Sequence, residues 1–172
     1  KGKRIIAPKK GLGFSENFFY MCFGKVPSKE IIKAFDVSLI LYAEHSFNVS
    51  TFTARTITSS LSDIHSAITG AIGSLKGPLH GGANEEVMHM MSKIKKPENA
   101  LSWISKALNN KDVIMGFGHR VYKKGDSRVP TMEKYFKKVA EIKNDKKFQK
   151  IYDIVKRVMI ERKDIHPNVD YP

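Results

Sequence analysis

Five side chains of this 172-residue chain stand where they could do chemistry. His45 lies in LYAEHSFN, His80 in GPLHGGANEEV, His119 in GFGHRVY, Arg128 in GDSRVP and Asp170 in HPNVD. The three histidines sit at irregular junctions next to Gly or Asn. Glycine lets a ligand approach the main chain closely, and a histidine beside it can project toward that ligand. Arg128 carries a planar fork suited to gripping a carboxylate with two parallel bonds. Asp170 taken alone reads as a turn residue. Taken as a set, the five hold two possible acids, one possible base and donors for carboxylates. That combination suits removal of a proton next to a carbonyl, with neighbouring donors stabilising the enolate.

Other chemistries find less support. His65 and His89 fall inside helical patterns and read as surface or packed residues. His80 and His89 are nine positions apart, not the i, i+4 pair of a helical zinc site, and Cys22 is the only cysteine, so no metal site is expected. GLGFSE and GFGHRVY each offer two glycines, but neither completes a dinucleotide fingerprint between a strand and a helix.

The elements that must position these residues read as helices. Residues 28–46 place Ile31, Phe35, Leu39 and Tyr42 on one stripe, with Ser28 as the N-cap. Residues 62–77 place Ile64, Ile68, Ala71 and Leu75 on one face. Gly70, Ala71 and Gly73 there admit a close neighbour, and Gly77-Pro78 ends the run. Helices are expected over 83–94, with acids in the first turn, over 97–110, opened by Pro97, and over 131–142. The last, 146–163, carries Phe148, Ile151, Tyr152, Val155 and Val158 as its stripe. Only 112–118 reads as extended. The expected class is all-α, without repeats. The chain opens without Met and stops at HPNVDYP, which reads as a piece of a larger protein.

A hydrophobic content of 41% allows a core. No apolar run approaches the roughly 20 residues that span a bilayer, and the lone cysteine suits an intracellular setting. The net charge of +13 suggests an anionic partner, either nucleic acid or a polyanionic small molecule. Lysine far outnumbers arginine and is spread along helical patterns as a solvated face. Specific phosphate or base readout favours arginine forks instead.

GPLHGGANEEV, GFGHRVYKKGDSR and HPNVD, in this order, resemble the three active-site segments of the citrate synthase family. LYAEHSFNVSTFTAR and the stretch that follows resemble its 2-methylcitrate synthase and bifunctional bacterial branch, and the likeness covers nearly the whole chain. The resemblance implies condensation of propionyl-CoA or acetyl-CoA with oxaloacetate, followed by thioester hydrolysis to 2-methylcitrate or citrate and free CoA. It implies that Asp170 removes the α-proton, that His80 binds the thioester oxygen as a neutral imidazole, and that His119 polarises the oxaloacetate ketone. His45, Arg128 and Asn48 would bind oxaloacetate. Val113, Ile114, Met115, Gly116, Phe117 and Lys123 would lie at coenzyme A, which is a substrate, with no permanently bound cofactor.

The resemblance further implies a cytoplasmic homodimer with no nucleic-acid or membrane partner. Residues 1–79 would be part of a large domain and 80–172 most of a small closing domain. The isolated chain is expected to be inactive as a synthase. Two departures stand out. Asp126-Ser127-Arg128 replaces the family's frequent Asp-Pro-Arg, and Lys123 stands where some relatives have arginine, keeping charge but losing the fork.

Overall fold

The computed structural model describes residues 5–43, 48–119, 121–122 and 124–172. These form eight described helices: α1 (Phe14–Phe23), α2 (Lys29–Tyr42), α3 (Val49–Ser59), α4 (Ile64–Leu75), α5 (Ala83–Ile94), α6 (Pro97–Asn109), α7 (Val129–Ile142) and α8 (Lys147–Lys163). The nearest thing to a sheet among the described residues is one antiparallel bridge, Phe117 with Pro167.

The core is built from α5, α6 and α8. Met91 and Ile94 of α5, Ile104 of α6 and Ile151, Tyr152 and Val155 of α8 are among its most buried residues. Burying each such side chain contributes about 1.5–3 kcal/mol. The α8 stripe expected from spacing is the one that closes onto α6. Ile114, in the extended stretch before His119, and Tyr171, beside Asp170, belong to the same cluster. The core therefore reaches directly beneath two of the candidate site segments.

The first half of the chain differs from the expectation in three ways. α1 and α3 were not read from the sequence as helices. α1 covers α2, with Phe18 stacked on Phe35 at 4.7 Å between ring centroids, and Ser15 hydrogen-bonds Asp36. α3 pairs with α4 through small residues: Ala67 is 4% exposed, and a Cβ on Gly70 would collide with Ile57. The expected face of α4 is not covered. Ile64 is 71% exposed and Ile68 51%, because α3 packs on the small-residue side instead. α2 has no fully buried residue, but its end packs against α7 and carries Tyr42 toward the C-terminal segment. Among the described residues, no helix is long and apolar enough to cross a membrane.

Candidate active site

The segment holding Asp170 is tied to the turn holding His119. The Gly118 amide donates to the His166 carbonyl and the Asn168 amide to the Gly116 carbonyl, both at 2.9 Å. The Asn168 side chain donates to the Gly118 carbonyl at 2.8 Å and accepts from the Asp170 amide at 3.0 Å. One asparagine thus fixes the backbone on both sides. The approach needs a glycine: Gly116 has φ of +82°, and a Cβ there would lie 2.9 Å from the Tyr171 Cα. The extended reading of 112–118 is borne out only as this single pairing, without a strand.

His119 turns its Nδ1 onto the chain that follows it, where it accepts from the amides of Val121 at 3.0 Å and Tyr122 at 3.1 Å. Amides can only donate, so Nδ1 holds a lone pair and Nε2 carries the proton of the neutral ring. The ring stacks on Tyr122 at 4.4 Å, and the Arg128 guanidinium lies 5.7 Å from the Tyr122 centroid.

Arg128 does grip a carboxylate with its fork, but the carboxylate is that of Asp126. Nε donates to Oδ1 at 2.9 Å and Nη2 to Oδ2 at 2.7 Å. The Nη1 edge is left to face the Leu41 carbonyl at 3.4 Å. Burial alone would raise the Asp126 pKa, yet the Arg128 bonds and charge outweigh it and hold Asp126 below the usual carboxylate range. Sequence reasoning gave Asp126 no role.

Asp170 is held from a third direction. Tyr42 donates its hydroxyl to Oδ1 at 3.0 Å and lies 3.2 Å from the Val169 carbonyl. Burial pushes the Asp170 pKa up, and Asp126 adds to this. Tyr42 and Arg128 pull it down without cancelling the rise. Tyr42 is itself pushed well up, by burial and by the Asp170 charge, so its hydroxyl stays protonated and remains a donor. A carboxylate kept more basic than usual is what a proton-abstracting group requires.

His80 sits in the turn between α4 and α5. Its Nε2 faces Ser50, with the amide at 3.2 Å and Oγ at 3.0 Å. The amide can only donate, so Nε2 accepts and Nδ1 carries the proton of a neutral imidazole. Asn48 positions Ser50 by capping α3: its side chain accepts from the Thr51 amide at 2.7 Å and from Ser50 Oγ at 3.1 Å. The glycine after His80 serves packing first. A Cβ on Gly81 would lie 2.6 Å from the Leu75 carbonyl at the end of α4, so the turn folds tightly onto that helix.

Of the stretch expected at coenzyme A, Val113 is 77% exposed, while Ile114 is 5% exposed. Met115 and Phe117 pack against the core, and Gly116 is buried under Tyr171. Apart from Val113, the stretch turns its side chains into the protein. His45 and Lys123 lie outside the described residues. A cavity of about 260 Å³ runs from Tyr42 and Asp170 past Asn84, Met88, Met132 and Phe136. Among the described residues, no group of three or more His, Cys, Asp or Glu could hold a metal ion.

Two histidines with fixed tautomers, a raised carboxylate and an arginine network on an all-helical frame define a class that comparison with known proteins identifies. The family profile described as "Citrate synthase, C-terminal domain" matches residues 1–172, and the chain belongs to the citrate synthase family. It is 52% identical over 172 residues to a 2-methylcitrate synthase of Mycobacterium tuberculosis, covering all of this chain and 44% of that protein. It is 55% identical over 177 residues to 2-methylcitrate synthase 2 of Corynebacterium glutamicum, covering 46% of that protein. The chain thus spans under half the length of these curated relatives. Its fold is similar to citrate synthase from Thermoplasma acidophilum, solved as a ternary complex with carboxymethyl coenzyme A and oxaloacetate. There the TM-score is 0.88 at 37% identity, over 95% of this chain and 44% of that one.

Proposed function

We propose that the full-length protein containing this chain condenses an acyl-CoA with oxaloacetate and hydrolyses the resulting thioester, with propionyl-CoA the preferred acyl donor. The observation that carries this reading is the pairing of a raised carboxylate, Asp170, with a neighbouring His80 whose Nε2 is already engaged by Ser50. Asp170 takes a proton from the acyl α-carbon. His80 donates from Nδ1 to the thioester oxygen, so charge builds on an oxygen already facing a donor. The enol carbon then attacks the oxaloacetate ketone. His119 donates from Nε2 to the ketone oxygen and supplies the proton of the new hydroxyl. Water cleaves the thioester and releases free CoA.

In this reading Arg128, with its Nη1 edge, Asn48 and His45 face oxaloacetate. Val113 to Phe117 and Lys123 face coenzyme A, with the exposed Val113 as the side-chain contact. Residues 1–79 and 80–172 act as parts of a large and a small domain that close on substrate. The uncovered Ile64, Ile68 and Ile72 of α4 support a homodimer built on that face. A cytoplasmic location and a place in propionate breakdown are carried over from the family resemblance.

The preference for propionyl-CoA rests on likeness to the 2-methylcitrate synthases. One methylene in an apolar pocket is worth about 1–3 kcal/mol, or about 10–200-fold in kcat/KM. The test is release of free CoA thiol by the full-length protein from propionyl-CoA and acetyl-CoA, each with oxaloacetate. Higher kcat/KM for propionyl-CoA is expected. Release from neither thioester would overturn the reading, and a preference for acetyl-CoA would overturn its substrate assignment.

A further inference from the structure

We infer that Asp126 is a positioning residue for the catalytic carboxylate, fixing the backbone of Asp170 through the neighbouring Val169 amide while holding Arg128 in place. This rests on the assignment of Asp170 as the base. Asp126 has a side chain that is 0% exposed, and its two oxygens meet four donors. Oδ1 accepts from the Arg128 amide at 3.0 Å and Nε at 2.9 Å; Oδ2 accepts from Arg128 Nη2 at 2.7 Å and the Val169 amide at 3.0 Å. The Val169 bond crosses 43 residues of sequence and ends one residue before Asp170. Asp126 is therefore not a second base. It is a hub joining the start of α7 to the segment that carries the base.

A buried ion pair that only held the fold would leave the chemistry alone once the protein had folded. Asp126 differs because its charge also acts on Asp170. Among the described residues, the charged or titratable groups facing Asp170 are Tyr42 at the end of α2, His80 before α5, Asp126 before α7 and Arg128 at its start. Asp126 works to keep Asp170 protonated, while Arg128 works against it. Removing the Asp126 charge takes away the first influence and frees the Arg128 fork. Asp170 becomes a weaker base on a looser segment, and catalysis that depends on near-attack geometry loses about a hundredfold for a displacement of 1 Å.

The experiment uses the full-length protein with Asp126→Asn and, in parallel, Asp170→Asn. The readout is exchange of solvent deuterium into the acyl-CoA α-position, with a non-condensing hydroxy analogue of oxaloacetate bound. Its acid limb is followed with pH. Asp170→Asn should abolish exchange. Asp126→Asn should slow it by about tenfold or more and move the acid limb to lower pH. Unchanged rate and limb in Asp126→Asn, with Asp170→Asn inactive, would overturn the positioning role and leave the base assignment standing. Exchange at the wild-type rate in Asp170→Asn would overturn both. Should Asp126→Asn fail to fold, hydrogen exchange of the wild-type Val169 amide decides. Strong protection supports the hub, and exchange as fast as that of exposed loop amides overturns it.

Discussion

The Tyr42 hydroxyl donates to Asp170 Oδ1 at 3.0 Å, joining the last residue of α2 to a segment 128 positions later. Burial makes Asp170 more basic than an ordinary carboxylate, and this one hydrogen bond restrains the rise by favouring the charged form. Tyr42→Phe removes the donor without removing the ring. The acid limb of kcat/KM should therefore move to higher pH than in the wild-type full-length protein. A limb that stays put or moves down would show that the hydroxyl does not govern Asp170.

Raised basicity at Asp170 also carries a stability cost with a definite sign. Its folded-state pKa lies above the unfolded value, so the folded form binds the proton more tightly. Ionised Asp170 thus destabilises the fold at neutral pH. The penalty is lost as pH falls through the raised folded value toward the ordinary carboxylate range. Asp170→Asn should raise the Tm at pH 7, with the gain shrinking on acidification. Thermal melts across this range check it; a lower Tm at pH 7 would contradict the assignment.

Gly116 tests the docking of the two site segments. Alanine there meets a φ of +82° and main-chain atoms of Tyr171 at 2.9 Å, so neither backbone nor neighbour can yield cheaply. Gly116→Ala should destabilise the protein by about 2–4 kcal/mol, as strain and overpacking add. Denaturant unfolding measures this, and a loss under about 0.5 kcal/mol would mean that the segments are not held as described.

The second half of the fold was legible because its stripes close on each other. The Ile151, Tyr152, Val155 and Val158 pattern meets α6 as the period requires. α3 was not legible, since six of its eleven residues are Val, Ile or Thr, which resist helix formation. It folds because Asn48 caps it and because it packs along α4, while Thr53, Thr56 and Thr58 satisfy their hydroxyls on carbonyls one turn earlier. The uncovered α4 face shows the opposite limit: periodicity reveals a stripe but not what covers it. At the site, the residue types of His80, His119 and Asp170 suggested the chemistry. Ser50, Tyr42 and Asp126 went unread, because their roles come from contacts across 30, 128 and 43 positions. The Arg128 fork was expected for a substrate, and only the fold reveals that Asp126 occupies it.

The most direct test of the central claim is steady-state condensation by the full-length protein carrying Asp170→Asn, read as free CoA released from propionyl-CoA and oxaloacetate. An amide cannot accept the α-proton, and a positioned general base contributes about 10²–10⁴-fold. With Asp170 as the base, kcat falls by at least that range while the variant stays folded. Wild-type turnover by the variant would contradict it and remove Asp170 from the chemistry.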